Sequence, residues 1–202
     1  MRSDDLYTLP PDLPAPTDDG GAAHLPGLAL PPIALPSTGG RQVRLDDLRA
    51  PRTVVYCYPR TGLPDQDAPG GTAMWDAIPG ARGCTPQSCG YRDHYQELRA
   101  LGVRVFGLST QTTEYQREMA ERLHLPFEVL SDADLAMTRA LRLPTFEVAG
   151  MVLLKRLTLI LKEGHIAHCF YPVFPPDADA ERVVAWLKRE DQAGGTDTRF
   201  RI

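Results

Sequence analysis

Cys84 and Cys89, five positions apart, are the residues of this chain best placed to do chemistry. They stand in the run Gly83-Cys84-Thr85-Pro86-Gln87-Ser88-Cys89-Gly90-Tyr91-Arg92-Asp93. Proline suits the first turn of a helix, so Pro86 predicts a helix that begins close to Cys84. A thiol at a helix start faces unpaired backbone N–H groups and the positive end of the helix dipole, and both favour the nucleophilic thiolate. The pattern therefore indicates a reactive Cys84.

The two thiols cannot be joined while that helix is intact. On a regular helix the Cα atoms of an i, i+5 pair lie roughly 8–9 Å apart, whereas a disulfide needs less than about 7 Å. Either the pair never forms a disulfide, or the first turn and a half of the helix unwinds when it does. A purely structural interpretation, in which both thiols fill space in a core, also stays open at this point.

Other kinds of site have less support. No two cysteines are separated by two residues, the spacing that zinc sites and thioredoxin-type dithiols use, and His94 alone is a weak third zinc ligand. The histidines show no triad spacing to a candidate nucleophile. Cys57 and Cys169 lie in apolar, strand-like runs and are expected in the core. We therefore expect neither a metal nor a cofactor.

The elements around Cys84 are predicted to alternate between strands and helices. Apolar and β-branched runs predict strands at 53–58, 103–108, 127–130, 153–161 and 165–170, and helices at 86–101, 112–123, 132–141 and 178–189. Alternation of this kind implies crossover connections and a central sheet covered on both faces. A late antiparallel hairpin makes the sheet mixed. The predicted fold class is α/β, with a central mixed β-sheet and helices on both faces.

Composition divides the chain into three parts. Residues 1–24 hold several prolines and little apolar material, so we expect a mobile tail. Residues 25–190 form the predicted domain, and residues 191–202 form a C-terminal tail. Inside the domain, residues 60–83 form a proline- and glycine-rich segment, called the long loop below, that leads to Cys84. Loops of this length in a compact domain usually serve a function or are disordered.

The composition of the whole chain excludes several classes of function. Lys and Arg total 22 and Asp and Glu total 26 in 202 residues, a net charge of −4 that does not fit a nucleic-acid-binding surface. No apolar run approaches the length of about 18 residues that a membrane span needs. The start of the sequence lacks the basic-then-apolar pattern of a secretory signal. We therefore expect a reducing cytoplasm, where cysteines are more often reactive or buried than permanently bridged.

The chain resembles the peroxiredoxins, and among them the bacterioferritin-comigratory or Q type. The run from Gly83 to Asp93 matches that type's signature, Gly-Cys-Thr-x-Gln-x-Cys-x-x-Arg-Asp. Supporting matches follow at 54–59, 105–110, 125–132 and 156–161 and in the final helix, so that the resemblance spans about residues 25–190. It implies a thioredoxin-like fold and the activity of a thiol peroxidase.

On this resemblance Cys84 is the peroxidatic cysteine, whose thiolate attacks a peroxide and becomes a sulfenic acid. Cys89 is the resolving cysteine, which condenses with it to an intramolecular disulfide. Arg156 matches the arginine that stabilises the thiolate and orients the peroxide, whereas Lys155 beside it faces the other side of its strand. The implied partners are hydrogen peroxide or a small organic hydroperoxide and a thioredoxin-like reductant. The expected state is a monomer or weak homodimer.

The implied substrate pocket contains Pro79, Gly83 and Thr85, and two departures from the family pattern affect it. The family places Thr or Ser three residues before the peroxidatic cysteine, and this chain has Ala81 there. Family members also reach the cysteine through a shorter connection than the long loop. We predict that this loop folds over the pocket and that Trp75 helps to form its wall. A surface insert with an exposed indole is the alternative.

A second functional hypothesis keeps the fold and changes the activity. The missing hydroxyl at Ala81 keeps open a redox sensor or binding module, in which slow oxidation unwinds the helix and alters a partner contact. A general thiol–disulfide reductase is a third possibility. The rate of reaction with peroxide separates the first two, and activity on protein disulfides without peroxide identifies the third.

Overall fold

The structure of the protein, a computed structural model, describes residues 6–64 and 66–196. The outermost parts of the two predicted tails, residues 1–5 and 197–202, lie outside the described residues. The strands are β1 (Ala34–Pro36), β2 (Gln42–Arg44), β3 (Arg52–Cys57), β4 (Val103–Ser109), β5 (Val129–Ser131), β6 (Thr145–Val148), β7 (Met151–Leu154), β8 (Leu157–Lys162) and β9 (His165–Phe170). The α-helices are α1 (Thr72–Asp76), α2 (Cys84–Asp93), α3 (Tyr95–Ala100), α4 (Thr113–Arg122), α5 (Ala136–Leu141) and α6 (Asp179–Thr196).

Five strands form the central sheet, in the order β5-β4-β3-β8-β9. Strand β4 runs parallel to both β3 and β5, whereas β8 runs antiparallel to both β3 and β9. The parallel pairs are joined by helical crossovers and the antiparallel pair β8–β9 by a tight turn, as their chain order requires. The predicted α/β class with a mixed central sheet is confirmed.

Alternating side chains of β3 enter two separate cores, because successive residues of a strand point to opposite faces. Val54 and Tyr56 pack with apolar residues of α2, α3, α4 and α6 on one face. Val55 and Cys57 pack on the other face with α5 and with apolar residues of the segment 22–48. Helices therefore cover both faces, as predicted, although α5 is the one α-helix among the described residues that contributes to the second core.

Two predicted elements are divided. The helix predicted at 86–101 begins at Cys84 and is interrupted at His94, which separates α2 from α3. The strand predicted at 153–161 is also two strands in different sheets, since β7 pairs with β6 while β8 joins the central sheet. Arg156 lies at the junction between them and is 3% exposed. The chain turns away from the β6–β7 hairpin there, and the guanidinium enters the interior.

The long loop has a small core of its own. It contains α1, and its Trp75 and Ala81 are buried together with Val148 and Leu153 of the β6–β7 hairpin. The indole of Trp75 lies 6.4 Å from the ring of Phe146, centroid to centroid. The long loop is therefore folded against this hairpin.

The described part of the predicted N-terminal tail lies along the domain. Asp19 accepts hydrogen bonds from Lys155 Nζ at 2.6 Å and from the hydroxyl of Tyr171 at 2.7 Å. Ala22 is buried in the core below the central sheet. The mobility of this segment stays a prediction. No helix within 6–64 or 66–196 is both long and apolar enough to cross a membrane.

Candidate active site

Cys84 is the first residue of α2, immediately after a glycine that the backbone requires. Gly83 has φ 104° and precedes the helix, and its carbonyl accepts the first helical hydrogen bond from Gln87 N at 3.0 Å. A Cβ atom at position 83 would collide with Pro176 as well as strain the backbone. The sequence thereby places the thiol in the first turn of the helix, whose backbone N–H groups have no intrahelical partner. Cys84 itself is 3% exposed.

The guanidinium of Arg156 contacts this sulfur directly. Its Nη2 lies 3.2 Å from Cys84 Sγ and 3.1–3.3 Å from the carbonyl oxygens of Gly80, Ala81 and Arg82. Those carbonyls belong to the turn that leads into α2, so that one cation both holds the turn and faces the thiol. A buried cation beside a thiol stabilises the thiolate. The predicted pair, Cys84 and Arg156, is brought together.

Gln87 links this pair to a buried carboxyl group that the sequence analysis did not identify. Its Oε1 accepts a hydrogen bond from Arg156 Nη1, and its Nε2 donates to Asp179 Oδ2 at 2.8 Å. Gln87 stands three residues after Cys84, on the same helical face, which is the signal that could have identified it. No local signal in the sequence connects Asp179 to the site, because it lies in α6.

A cavity of about 50 Å³ opens beside Cys84. Three of the predicted pocket residues, Gly83, Thr85 and Trp75, line it together with the thiol. Pro79 lies in a neighbouring cavity of about 370 Å³, which it shares with Arg156. Trp75 is 5% exposed, so the alternative of an exposed indole is wrong.

The remaining cysteines have different surroundings. Cys89 is half-buried in the same helix, and burial raises the pKa of its thiol. Burial also raises the pKa of Cys57 well above its ordinary value and that of Cys169 to about 12. All four cysteines are free. In the part of the chain that the structure describes, no three His, Cys, Asp or Glu side chains form a group that could hold a metal ion.

A mixed five-stranded sheet, with a cysteine opening the second helix after its central strand, defines a thioredoxin-like fold carrying a thiol site. The chain belongs to the Redoxin family, whose sequence model matches residues 25–184. The fold is similar to that of Peroxidoxin BcpB from Mycobacterium tuberculosis, with a TM-score of 0.66 at 23% identity over 82% of this chain and 98% of that one. It is also similar to Peroxiredoxin Q from Xanthomonas campestris, with a TM-score of 0.62 at 23% identity over 80% of this chain and 96% of that one.

The curated relatives confirm the resemblance to the Bcp and Q types. Peroxiredoxin Bcp of Escherichia coli (strain K12) is 38% identical over 104 residues, which are 52% of this chain and 55% of the relative. The chloroplastic Peroxiredoxin Q of Sedum lineare is 25% identical over 162 residues, 80% of this chain and 77% of the relative. The chain thus spans about half the length of the more identical relative.

Proposed function

We propose that this protein is a thiol peroxidase that reduces hydrogen peroxide or small organic hydroperoxides. The observation that carries the proposal is the Arg156 N–H group 3.2 Å from the sulfur of Cys84, at the edge of a small cavity. A sulfur that faces a fixed cation and a helix start is held as a nucleophile without a general base. The similarity to proteins named peroxiredoxins supports the same activity.

In the first step the thiolate of Cys84 attacks the nearer oxygen of the peroxide, and the O–O bond breaks. The sulfur loses two electrons and becomes a sulfenic acid, while the departing alkoxide or hydroxide takes a proton from solvent. Negative charge develops on that leaving oxygen. The N–H groups of Arg156 are fixed before the reaction and stabilise this charge.

In the second step the thiol of Cys89 attacks the sulfenic sulfur, water leaves, and an intramolecular disulfide forms. Because both residues lie in α2, the first turns of the helix unwind for this step. A thioredoxin-like dithiol then restores both thiols by exchange and is itself oxidised. Both cysteines of the cycle lie on one chain, so a monomer or weak homodimer is sufficient for the chemistry. We propose the cytoplasm as the compartment.

The dimensions of the cavity bear on the choice of peroxide. A volume of about 50 Å³ beside Cys84 admits hydrogen peroxide, which is little larger than water. Gly83 and Thr85 provide the surface next to the thiol, and Trp75 provides the wall on the side of the long loop. Pro79 shapes the neighbouring cavity on the side of Arg156. A bulky hydroperoxide requires the long loop to move.

The test combines stoichiometric oxidation with rapid kinetics. One equivalent of hydrogen peroxide should consume two thiols of the reduced protein, and mass mapping should find a Cys84–Cys89 disulfide. Cys89→Ser should stop at the sulfenic acid, and Cys84→Ser should not react. Rapid peroxide consumption by Cys84→Ser would overturn the proposal. A second-order rate close to that of a free thiol would favour the redox sensor instead.

A further inference from the structure

Asp179 is a carboxylic acid buried at the start of α6, where it is 0% exposed. One of its oxygens, Oδ2, accepts three hydrogen bonds, and the other, Oδ1, has no partner. The donors to Oδ2 are Gln87 Nε2 at 2.8 Å, the Tyr91 hydroxyl at 2.9 Å and the Thr158 hydroxyl at 2.7 Å. A buried carboxyl group has lost its hydrogen bonds to water, and these protein hydrogen bonds take their place. Removing them leaves the group unsatisfied, which costs free energy.

Two of these three donors belong to α2, the helix that carries both thiols. Gln87 lies between Cys84 and Cys89, and Tyr91 follows two residues after Cys89. Any unwinding that brings the two thiols together must displace Gln87 and the turn that precedes Tyr91. The hydrogen bonds to Asp179 therefore connect the part of α2 that has to move to helix α6.

Through Gln87, the carboxyl group of Asp179 is also linked to Arg156. The Gln87 side chain is held at both ends, since its amide nitrogen donates to Asp179 and its amide oxygen accepts from Arg156. Arg156 in turn contacts Cys84 Sγ. A continuous chain of contacts thus runs from the buried carboxyl to the reactive sulfur.

We propose that Asp179 is a positioning residue that affects the two steps of the cycle in opposite directions. Through Gln87 it holds Arg156 against Cys84, which accelerates the attack on peroxide. Through Gln87 and Tyr91 it holds α2 helical, which slows the condensation of Cys84 with Cys89. This inference rests on the proposed function, since both steps belong to that cycle.

Three variants separate the two effects. Tyr91→Phe removes one tether of α2 and leaves the Gln87 link to Arg156, so condensation should accelerate about fivefold, the effect of one buried hydrogen bond, while the peroxide step stays unchanged. Asp179→Ala removes both links, so condensation should accelerate while the peroxide step slows about tenfold. Thr158→Val is the comparison variant: it removes the donor that lies in β8, whose hydroxyl also lies 3.3 Å from that of Tyr91. It should leave the peroxide step unchanged and accelerate condensation less than Tyr91→Phe does, because both donors from α2 remain.

Stopped-flow fluorescence measures the second-order peroxide step and the first-order condensation separately. Mass spectrometry at increasing peroxide measures the fraction of Cys84 oxidised past the sulfenic acid, which should fall in Tyr91→Phe and Asp179→Ala because condensation protects it. Rates that move together in Asp179→Ala, or that stay unchanged in both variants, would overturn the inference. Tyr91→Phe retains a test if Asp179→Ala does not fold. Failure of the wild-type protein to form the sulfenic acid would instead refute the proposed function.

Discussion

Arg156 and Cys84 are 72 residues apart in the sequence, and Nη2 of the arginine lies 3.2 Å from the sulfur. The same nitrogen contacts the carbonyl oxygens of Gly80, Ala81 and Arg82, so that the position of the cation and the shape of the turn before the cysteine are fixed together. Arg156 donates through a second nitrogen to Gln87. Only a planar group with several N–H donors can make these contacts at once.

Replacing this arginine by lysine should therefore slow the reaction with peroxide although the charge is kept. A lysine ammonium is a single point of charge and cannot contact the turn, Gln87 and the sulfur together. The loss of a fixed donor to developing negative charge costs about a hundredfold in rate. Stopped-flow measurement of Arg156→Lys with hydrogen peroxide checks this, with condensation at Cys89 followed in the same traces.

Lys155 provides the matched control for that experiment. It precedes Arg156, but its side chain is 36% exposed and is paired with Asp19 rather than with the thiol. Lys155→Gln should leave the peroxide rate within about twofold of wild type, as expected for loss of a surface ion pair. Equal slowing in both variants would show that net charge, and not the contact with Cys84, controls the rate.

The sequence predicts this fold well because its signals are local and repeated. The strand run that ends at Cys57 and the glycine before Cys84 each determine their own segment. The contact between Cys84 and Arg156 came from the family resemblance, since no periodicity links residues in different elements. The bridging role of Gln87 and the burial of Asp179 were missed for the same reason. Each depends on a side-chain contact across the fold.

The long loop illustrates the other limit of the sequence. Its prolines and glycines indicate an irregular segment, and most of it is irregular. Its five-residue helix α1 is too short to leave a periodic pattern. The burial of Trp75 depends on the β6–β7 hairpin, whose first strand was not predicted from the sequence and whose second strand was predicted as one strand with β8.

Trp75→Ala should widen the cavity next to Cys84. The indole is 5% exposed and lines that cavity, so truncation removes both a wall and a core side chain. The rate with cumene hydroperoxide should rise relative to the rate with hydrogen peroxide, and stability should fall by about 3 kcal/mol. Parallel kinetics with the two substrates and urea unfolding measure these effects.

Met74 is the control for the loss of apolar area in the same helix. It is 55% exposed, so Met74→Ala should change neither the substrate preference nor the stability appreciably. An unchanged ratio of the two rates in Trp75→Ala would contradict the assignment of the indole to the wall of the cavity.

Restoring a hydroxyl at position 81 should not accelerate the reaction. Ala81 is 0% exposed and packs with Trp75 and Leu153, while its carbonyl, not its side chain, contacts Arg156. The larger side chain of Ala81→Thr should destabilise the protein by about 1–3 kcal/mol through overpacking and the burial of an unpaired hydroxyl. Ala81→Ser serves as the smaller control. An increase in the peroxide rate in either variant would show that the hydroxyl reaches the thiol.

The cysteines outside the cycle should be inert in the native protein. Burial raises the pKa of Cys169 to about 12, so its thiol stays protonated near pH 8. The pKa of Cys57 is raised well above its ordinary value for the same reason. Timed alkylation followed by peptide mass mapping should therefore label Cys84 before Cys57 and Cys169, and urea should abolish the difference. Early labelling of Cys57 in the native state would contradict its placement in the core.

Asp19 should hold the N-terminal segment, residues 6–24, against the domain in a pH-dependent manner. Lys155 and Tyr171 donate to its carboxylate and hold its pKa well below the ordinary value of 3.8. A carboxyl group with a lowered pKa contributes its full stabilisation when the pH is above its ordinary pKa. That stabilisation is lost as the pH falls through the lowered pKa. The carboxyl resonance of Asp19 should consequently titrate below the ordinary value, and Lys155→Gln should move that midpoint upward.

The same contact predicts how readily a protease cuts the segment at neutral pH. Asp19→Asn removes the ion pair with Lys155 and weakens the bond to Tyr171, so a limiting amount of protease should cleave within residues 6–24 faster than in the wild type. Asp18→Asn is the matched control, because the hydrogen bond that Asp18 accepts within the described segments is a local one, from the backbone of Gly20. Equal cleavage of the two variants would mean that the burial of Ala22, rather than the Asp19 contacts, holds the segment in place.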